Sequence, residues 1–316
     1  MQYRILGKTG LKVSEIGMGA WPIAGELQIA NQAFSYGPVA KEQAHRALNV
    51  AYQSGINFFD TADFYGLGRS EYLLGEVFKD VDDVIILTKA GLIPDGEYGV
   101  KSDLSYHHIM AAAKRSLERL NRKYIDVFLL HVPPRTIDEW EEAREALREL
   151  RSSGVIRFSG ISVGGEFKKM VDWLDYPETE VVIVHYNLLF RDYETELLDK
   201  VRGKNIGVIA ASPLSRGILS KSTSNERSFD DSDVRNRWIK NDDAYSLLIQ
   251  KREKVKTILS RYDVPLTGTA LAFVLREKTI ATIIPGMKSP EHVKQNIEEI
   301  YGYDYPQALF EDLLRG

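Results

Sequence analysis

Ile125-Asp126-Val127-Phe128-Leu129-Leu130 is apolar at every position but one, and His131 follows it directly. A strand with one wet face alternates polar and apolar residues, whereas an unbroken apolar run suits a parallel strand covered on both faces. Val84–Thr88, Val181–Val184, Val208–Ala211 and Ile280–Ile284 have the same character, and the less regular Ile16–Ala20, Asn57–Asp60 and Phe158–Ser162 bring the runs to eight. Amphipathic helices lie between them. Ala44, Ala47, Leu48 and Ala51 mark one stripe; Ile109, Ala113, Leu117 and Leu120 another; Trp140, Ala143, Leu147 and Leu150 a third. Thr136 with Glu139 reads as a capping box, and Ser289-Pro290 as an N-cap followed by proline at the first helical position. Eight strand–helix units with no linker predict an α/β fold: a single (β/α)8 TIM barrel spanning residues 1–316 as one domain. A doubly wound sheet is the alternative, but no Gly-x-Gly-x-x-Gly follows the first strand. Tyr3–Leu6 and Val13–Ile16, joined by Gly7-Lys8-Thr9-Gly10, predict a hairpin that plugs the bottom of the barrel. Gly91–Ser105 and Arg216–Asp243 are too long for tight connections; both follow strands, which places them as binding loops on the C-terminal face.

Composition narrows the function classes. Apolar residues make up 44% of the 316, enough for one large core, and the formal charge of −4 with no terminal basic run argues against nucleic acid as the main partner. The absence of cysteine excludes disulfides, thiolate metal sites and cysteine nucleophiles. No apolar stretch reaches membrane-spanning length and the opening residues lack an apolar signal-peptide core, so a soluble cytoplasmic protein is expected.

A barrel assembles its active site from the carboxyl ends of its strands. The polar residues there are Asp60, Lys89, His131, Ser162, Ser212 and the pair Lys288-Ser289, with Tyr65 five residues beyond Asp60. Each has a bland explanation alone: Asp60 as a turn cap, His131 as a satisfied core histidine, Lys89 as a snorkelling cation. Four such groups at neighbouring points of one face make coincidence a poor account. Their types suit reversible carbonyl reduction. A tyrosine moves a proton near pH 7 only if its anion is stabilised, and a neighbouring ammonium would lower its pKa toward that range. The ammonium in turn needs the counter-charge of Asp60, and a neutral His131 can orient the substrate oxygen. A metal site built on Asp60, Asp63 and His131 competes weakly, for Lys89 would sit beside the cation and no His-Glu-x-x-His or His-x-His is present. His107 and His108 face different sides of a helix, and His185 at the end of the sixth strand is open to either face.

Phe59-Asp60-Thr61-Ala62-Asp63-Phe64-Tyr65-Gly66, with Ser70-Glu71 and Leu74-Gly75 beyond it, closely resembles the signature of the aldo-keto reductase family. Ile86–Lys89 and Phe128–His131 look like its lysine and histidine strands, and the opening Tyr3–Ser14 with Gly17-Met18-Gly19 is similar to the hairpin of bacterial members. Ala211-Ser212-Pro213-Leu214 and Ile284-Pro285-Gly286 extend the resemblance to about Ile300. It implies Asp60, Tyr65, Lys89 and His131 as the catalytic set and NADP(H), with NAD(H) possible, bound across the barrel mouth. It further implies Ser162, Ser212, Leu214, Arg216 and Gly217 around the nicotinamide and pyrophosphate, Lys288, Ser289 and His292 at a 2′-phosphate, and Gln295 and Asn296 at the adenine. Trp21 is placed like the aromatic residue of the substrate pocket. The implied activity is reduction of an aldehyde, ketone or sugar carbonyl, with no metal. The alternatives are a slow or non-catalytic cofactor-binding relative with a regulatory role, or a redox-neutral isomerase or lyase using the same acid/base set. Neither the individual substrate nor the oligomeric state is legible.

The chain departs from the family where the nicotinamide is held. Ser162-Val163 replaces the usual Ser-Asn, Ile183 stands where a glutamine is expected, Ala211 where a stacking tyrosine is expected, and His292 where an arginine is common. The expectation is an intact proton-transfer set beside a depleted nicotinamide cradle.

Overall fold

The computed structural model describes residues 1–162, 170–191, 196–220, 229–239 and 242–315. Eight parallel strands form one sheet in sequential order: β1 (Met18–Gly19), β2 (Phe58–Asp60), β3 (Ile85–Ala90), β4 (Ile125–Leu130), β5 (Ile156–Ser162), β6 (Val181–His185), β7 (Gly207–Ala211) and β8 (Ile280–Ile284). Bridges Ile16↔Ile283 and Gly19↔Gly286 join the first strand to the last and close the barrel. The eight runs read from sequence are therefore all strands. The anticipated hairpin is there too, as Tyr3–Ile5 paired antiparallel with Lys12–Ser14.

Strand geometry sorts the core into two compartments, because alternate residues point to opposite faces. Val182, Val184, Val208 and Ala210 belong to the cluster between barrel and helices, while Leu87, Leu129, Val181, Ile183 and Ile209 fill the barrel interior. Leu6, Leu11 and Val13 of the hairpin join that interior cluster and stop the barrel from below. The hairpin sits so close that a Cβ on Gly7 would lie 2.3 Å from the Gly207 nitrogen.

Helices α1 (Lys41–Gln53), α3 (Tyr106–Leu120) and α4 (Ile137–Ser152) bury the three predicted stripes, Leu117 only partly, and α2 (Arg69–Phe78) adds a fourth buried face. In α4 the Glu139 N–H donates to Thr136 Oγ1 at 3.2 Å, but the Glu139 carboxylate accepts from the Arg135 N–H rather than that of Thr136, so the capping box closes one residue early. Helix α5 (Pro290–Tyr301) starts as predicted, with Ser289 accepting from the His292 N–H.

The two long loops carry structure of their own. Gly91–Ser105 contains an antiparallel hairpin, Leu92–Asp95 against Gly99–Ser102. In the other, residues 229–234 reach the loop after β1: Ser35 Oγ donates to Ser232 O at 2.9 Å and Val234 N to Ser35 O at 2.7 Å. Among the described residues no helix is long and apolar enough to cross a membrane.

Candidate active site

The top layer of the barrel interior follows from counting in twos. Phe58, Leu87, Leu129, Ile183 and Ile209 point inward, so the residues two positions on, Asp60, Lys89, His131, His185 and Ala211, point inward one layer higher. Ser162 joins them beside Ile183, its register partner. Lys89 and Ser162 thus lie inside their strands, a residue or two earlier than a count of strand ends suggests.

Asp60 and Lys89, on adjacent strands, form a buried ion pair. Lys89 Nζ is 2.5 Å from Asp60 Oδ1 and donates a second bond to Thr61 O at 2.7 Å. Burial drives the Lys89 pKa down, with the attraction of Asp60 opposing it. The turn after Asp60 brings Tyr65 back over this pair, with Lys89 Nζ 5.0 Å from the tyrosine ring centroid. That turn passes through left-handed backbone at Gly66 (φ 61°), where an added Cβ would lie 2.5 Å from Ala24 O, so the position needs glycine. His131 meets the Tyr65 ring edge-on at 5.6 Å, and Trp21 stacks on its other neighbourhood at 5.6 Å and 15°. The Trp21 indole N–H is held by Phe34 O at 3.1 Å. Sequence reasoning placed Asp60, Tyr65, Lys89, His131 and Trp21 separately; the structure brings all five together.

Burial, then the charge of Lys89, hold the His131 pKa well below the ordinary histidine range, so the imidazole is neutral. Its buried Nδ1 has no hydrogen-bond partner among the described residues. Tyr65 differs from expectation. Its pKa is raised well above the usual value, first by burial, then by Asp60 and Tyr36, instead of being lowered by Lys89. The physical reason is that Asp60 already neutralises the ammonium at 2.5 Å, leaving burial to dominate. A firmly protonated phenol fits the donating role and shifts the need for Lys89 to the moment when the proton leaves.

Behind the pair lies a second layer of charge that the sequence did not disclose. Glu71, fully buried, accepts from Thr88 Oγ1 at 2.5 Å and from Arg119 Nε at 2.6 Å. Asp63 donates its N–H to Lys89 O at 3.0 Å, but its buried Oδ1 has no partner among the described residues. Burial and then Glu71 push its pKa up to about 7.

The cofactor positions divide into two groups on adjacent strands. Ser212, Leu214, Arg216 and Gly217 lie on the turn after β7, where Ser212, Ser215, Arg216 and Gly217 all have positive φ. Lys288, Ser289 and His292 lie at the start of α5 and Gln295 and Asn296 in its middle; the Lys288 carbonyl accepts from Gln43 Nε2, Asn296 is buried, and Gln295 Nε2 donates to Glu299 at 2.7 Å. A helix N-terminus with an adjoining lysine favours an anion, so this end of the mouth suits a phosphate-bearing group. Asp60, Tyr65, Lys89 and His131 gather at the ends of β2 to β4, and the residues at the start of α5 and on the turn before it follow β8 and β7. Ile183 and Ala211 both face inward and bring no polar side-chain atom to the inner wall; Val163 lies outside the described residues.

Residues 15–302 match the model of the aldo/keto reductase family. The chain belongs to the aldo/keto reductase family. It is 27% identical to pyridoxal 4-dehydrogenase of Microbacterium luteolum (93% of this chain, 91% of that protein). It is 28% identical to the NADH-specific methylglyoxal reductase of Escherichia coli (strain K12), with 92% and 91% covered. The holo form of the aldo-keto reductase AKR11C1 from Bacillus halodurans superposes with a TM-score of 0.79 at 28% identity over 100% of this chain and 96% of that one. Aldo/keto reductases are oxidoreductases of carbonyl and sugar substrates that use nicotinamide cofactors, and the (β/α)8 barrel is their fold.

Sequence reasoning missed two residues beside Trp21 and left the facing of a third, His185, open. Tyr36 meets Trp21 edge-on at 4.8 Å, with the Arg235 guanidinium 5.1 Å from its ring centroid, and burial pushes its pKa up to about 12. Tyr36 lies in a loop, and Arg235 opens a helix, Arg235–Ile239, too short for periodicity to place. His185 was readable, because it follows Ile183 by two on the inner face.

Proposed function

We propose that this chain is an NADP(H)-linked carbonyl reductase of the cytoplasm, with Tyr65 as the proton donor. The observation that carries the reading is the convergence of Tyr65, neutral His131 and the Lys89–Asp60 pair in one layer at the barrel mouth. The nicotinamide, when bound, supplies the hydride. His131 hydrogen-bonds the carbonyl oxygen and fixes its direction; a neutral imidazole does this without contributing a fixed charge. Tyr65 gives its proton to that oxygen as negative charge develops there. Lys89, already beside the ring, stabilises the phenolate left behind, and Asp60 keeps the lysine in place. Trp21 shields one side of Tyr65 and, with Tyr36, supplies an aromatic wall for the substrate.

Lys288 and Ser289 support NADP(H) over NAD(H), since a lysine at a helix start pairs well with a 2′-phosphate. The charge of Lys288 is also felt by Asp230. An NADPH fluorescence titration followed by a turnover panel of aldehydes, ketones and sugars tests the reading. Binding with turnover of at least one class supports it, and no binding of either dinucleotide refutes it.

A further inference from the structure

We propose that His185 is a positioning residue of the cofactor site, its Nε2 hydrogen-bonding the carboxamide of the bound nicotinamide. This rests on the reading of the site as a nicotinamide-dependent oxidoreductase.

The placement comes from strand register. Val181 and Ile183 face the barrel interior, so His185 faces it as well, in the layer that holds Asp60, Lys89, His131 and Ser162. Its register partner on β7 is Ala211, whose small side chain leaves the flat imidazole room at the inner wall. One ring nitrogen is committed: Nδ1 lies 3.2 Å from Ser212 Oγ. The other, Nε2, makes no hydrogen bond with any described residue and is not among the sealed, unpartnered atoms of the core. Burial and the nearby charge of Arg216 hold the ring neutral, with a pKa near 4.

The geometry of the mouth selects the occupant. A carbonyl engaged by Tyr65 and His131 lies toward β2 to β4, while His185 belongs to the opposite wall. Arg216 and the start of α5 favour the phosphates on the β7 and β8 side, so the ring end of the dinucleotide reaches the inner wall beside β6. A carboxamide suits either state of the histidine. If Ser212 donates to Nδ1, Nε2 carries the proton and gives it to the amide oxygen; if Nδ1 donates to Ser212, Nε2 accepts from the amide nitrogen. In the wall where Ile183 and Ala211 offer no polar atom, His185 stands with Ser162 as a group that can fix the ring's rotation.

Calorimetric titration without substrate isolates this contact. Wild type, His185→Leu and His185→Gln are each titrated with NADP⁺ and with 2′-phospho-ADP-ribose, which lacks the nicotinamide. One lost hydrogen bond corresponds to about a three- to tenfold weaker Kd. The proposal predicts that loss for NADP⁺ with His185→Leu, an unchanged Kd for the truncated ligand, and recovery to within about twofold of wild type with His185→Gln, whose amide donates and accepts at similar reach. The unchanged truncated ligand also shows that the variant is folded. Equal weakening of both ligands, no weakening of either, or a glutamine variant that behaves like leucine overturns the assignment while leaving the oxidoreductase reading intact. A wild type that binds neither ligand is titrated with NAD⁺ and ADP-ribose on the same terms, and one that binds no dinucleotide overturns that reading, and this inference with it.

Discussion

Asp63→Asn offers a quantitative test of the charge layer behind the active site. Asp63 carries a buried oxygen without a partner among the described residues and shares its surroundings with Glu71. Its carboxyl is pushed from the ordinary 3.8 up to about 7, by burial first and Glu71 second, against Arg119, the Phe64 N–H and Arg115. In the unfolded chain it ionises near 3.9. Between those values the folded protein holds a proton that the unfolded chain has lost, so stability falls as pH rises. The contribution is full below about pH 4 and gone once pH has passed about 7. Three units at 1.36 kcal/mol give an upper figure of about 4 kcal/mol, and relaxation of the neighbours brings the expected effect to about 1–3 kcal/mol. Asparagine has nearly the same shape, cannot ionise, and can donate toward Glu71 where a carboxylate repels. Urea unfolding at pH 5 and pH 8 should show the variant gaining about 1–2 kcal/mol on wild type as pH is raised over that interval, which takes in about two of the three units. An equal difference between the two proteins at both pH values would show that Asp63 does not carry a strained charge, and the reasoning would fail.

Two further outcomes follow from the same geometry. Arg119→Met leaves the fully buried Glu71 with only its Thr88 bond, so a loss of about 3–5 kcal/mol is expected in urea unfolding at neutral pH; a loss below 1 kcal/mol would contradict a buried charge there. Lys288→Ala should narrow the gap between NADPH and NADH affinities by about 1.5–3 kcal/mol, measured by fluorescence titration, and a wild type that binds NADH better refutes the 2′-phosphate role.

Much of this molecule was legible because strand periodicity and strand ends are local properties. The eight runs gave the barrel, and polar residues at their ends gave Asp60, Lys89 and His131. Tyr65 was legible through the glycine-bearing turn that follows Asp60. The electrostatics were less so. The sign of the Tyr65 shift depends on how fully Asp60 cancels Lys89 and how deeply the ring is buried, and neither quantity is contained in residue order. The Glu71–Arg119 contact links α2 to α3 across 48 residues, and the Ser35–Ser232 contact links two loops across 197, so no short window reveals either. His185 was open only because inward and outward positions of β6 were not counted from Ile183.

The central claim is that Tyr65 delivers the proton, and Tyr65→Phe tests it most directly. With the preferred substrate, kcat should fall by about 10²–10⁴-fold, the contribution of a positioned general acid, while the dissociation constant of the cofactor stays within about twofold of wild type. A phenylalanine variant that keeps near wild-type kcat would contradict the account.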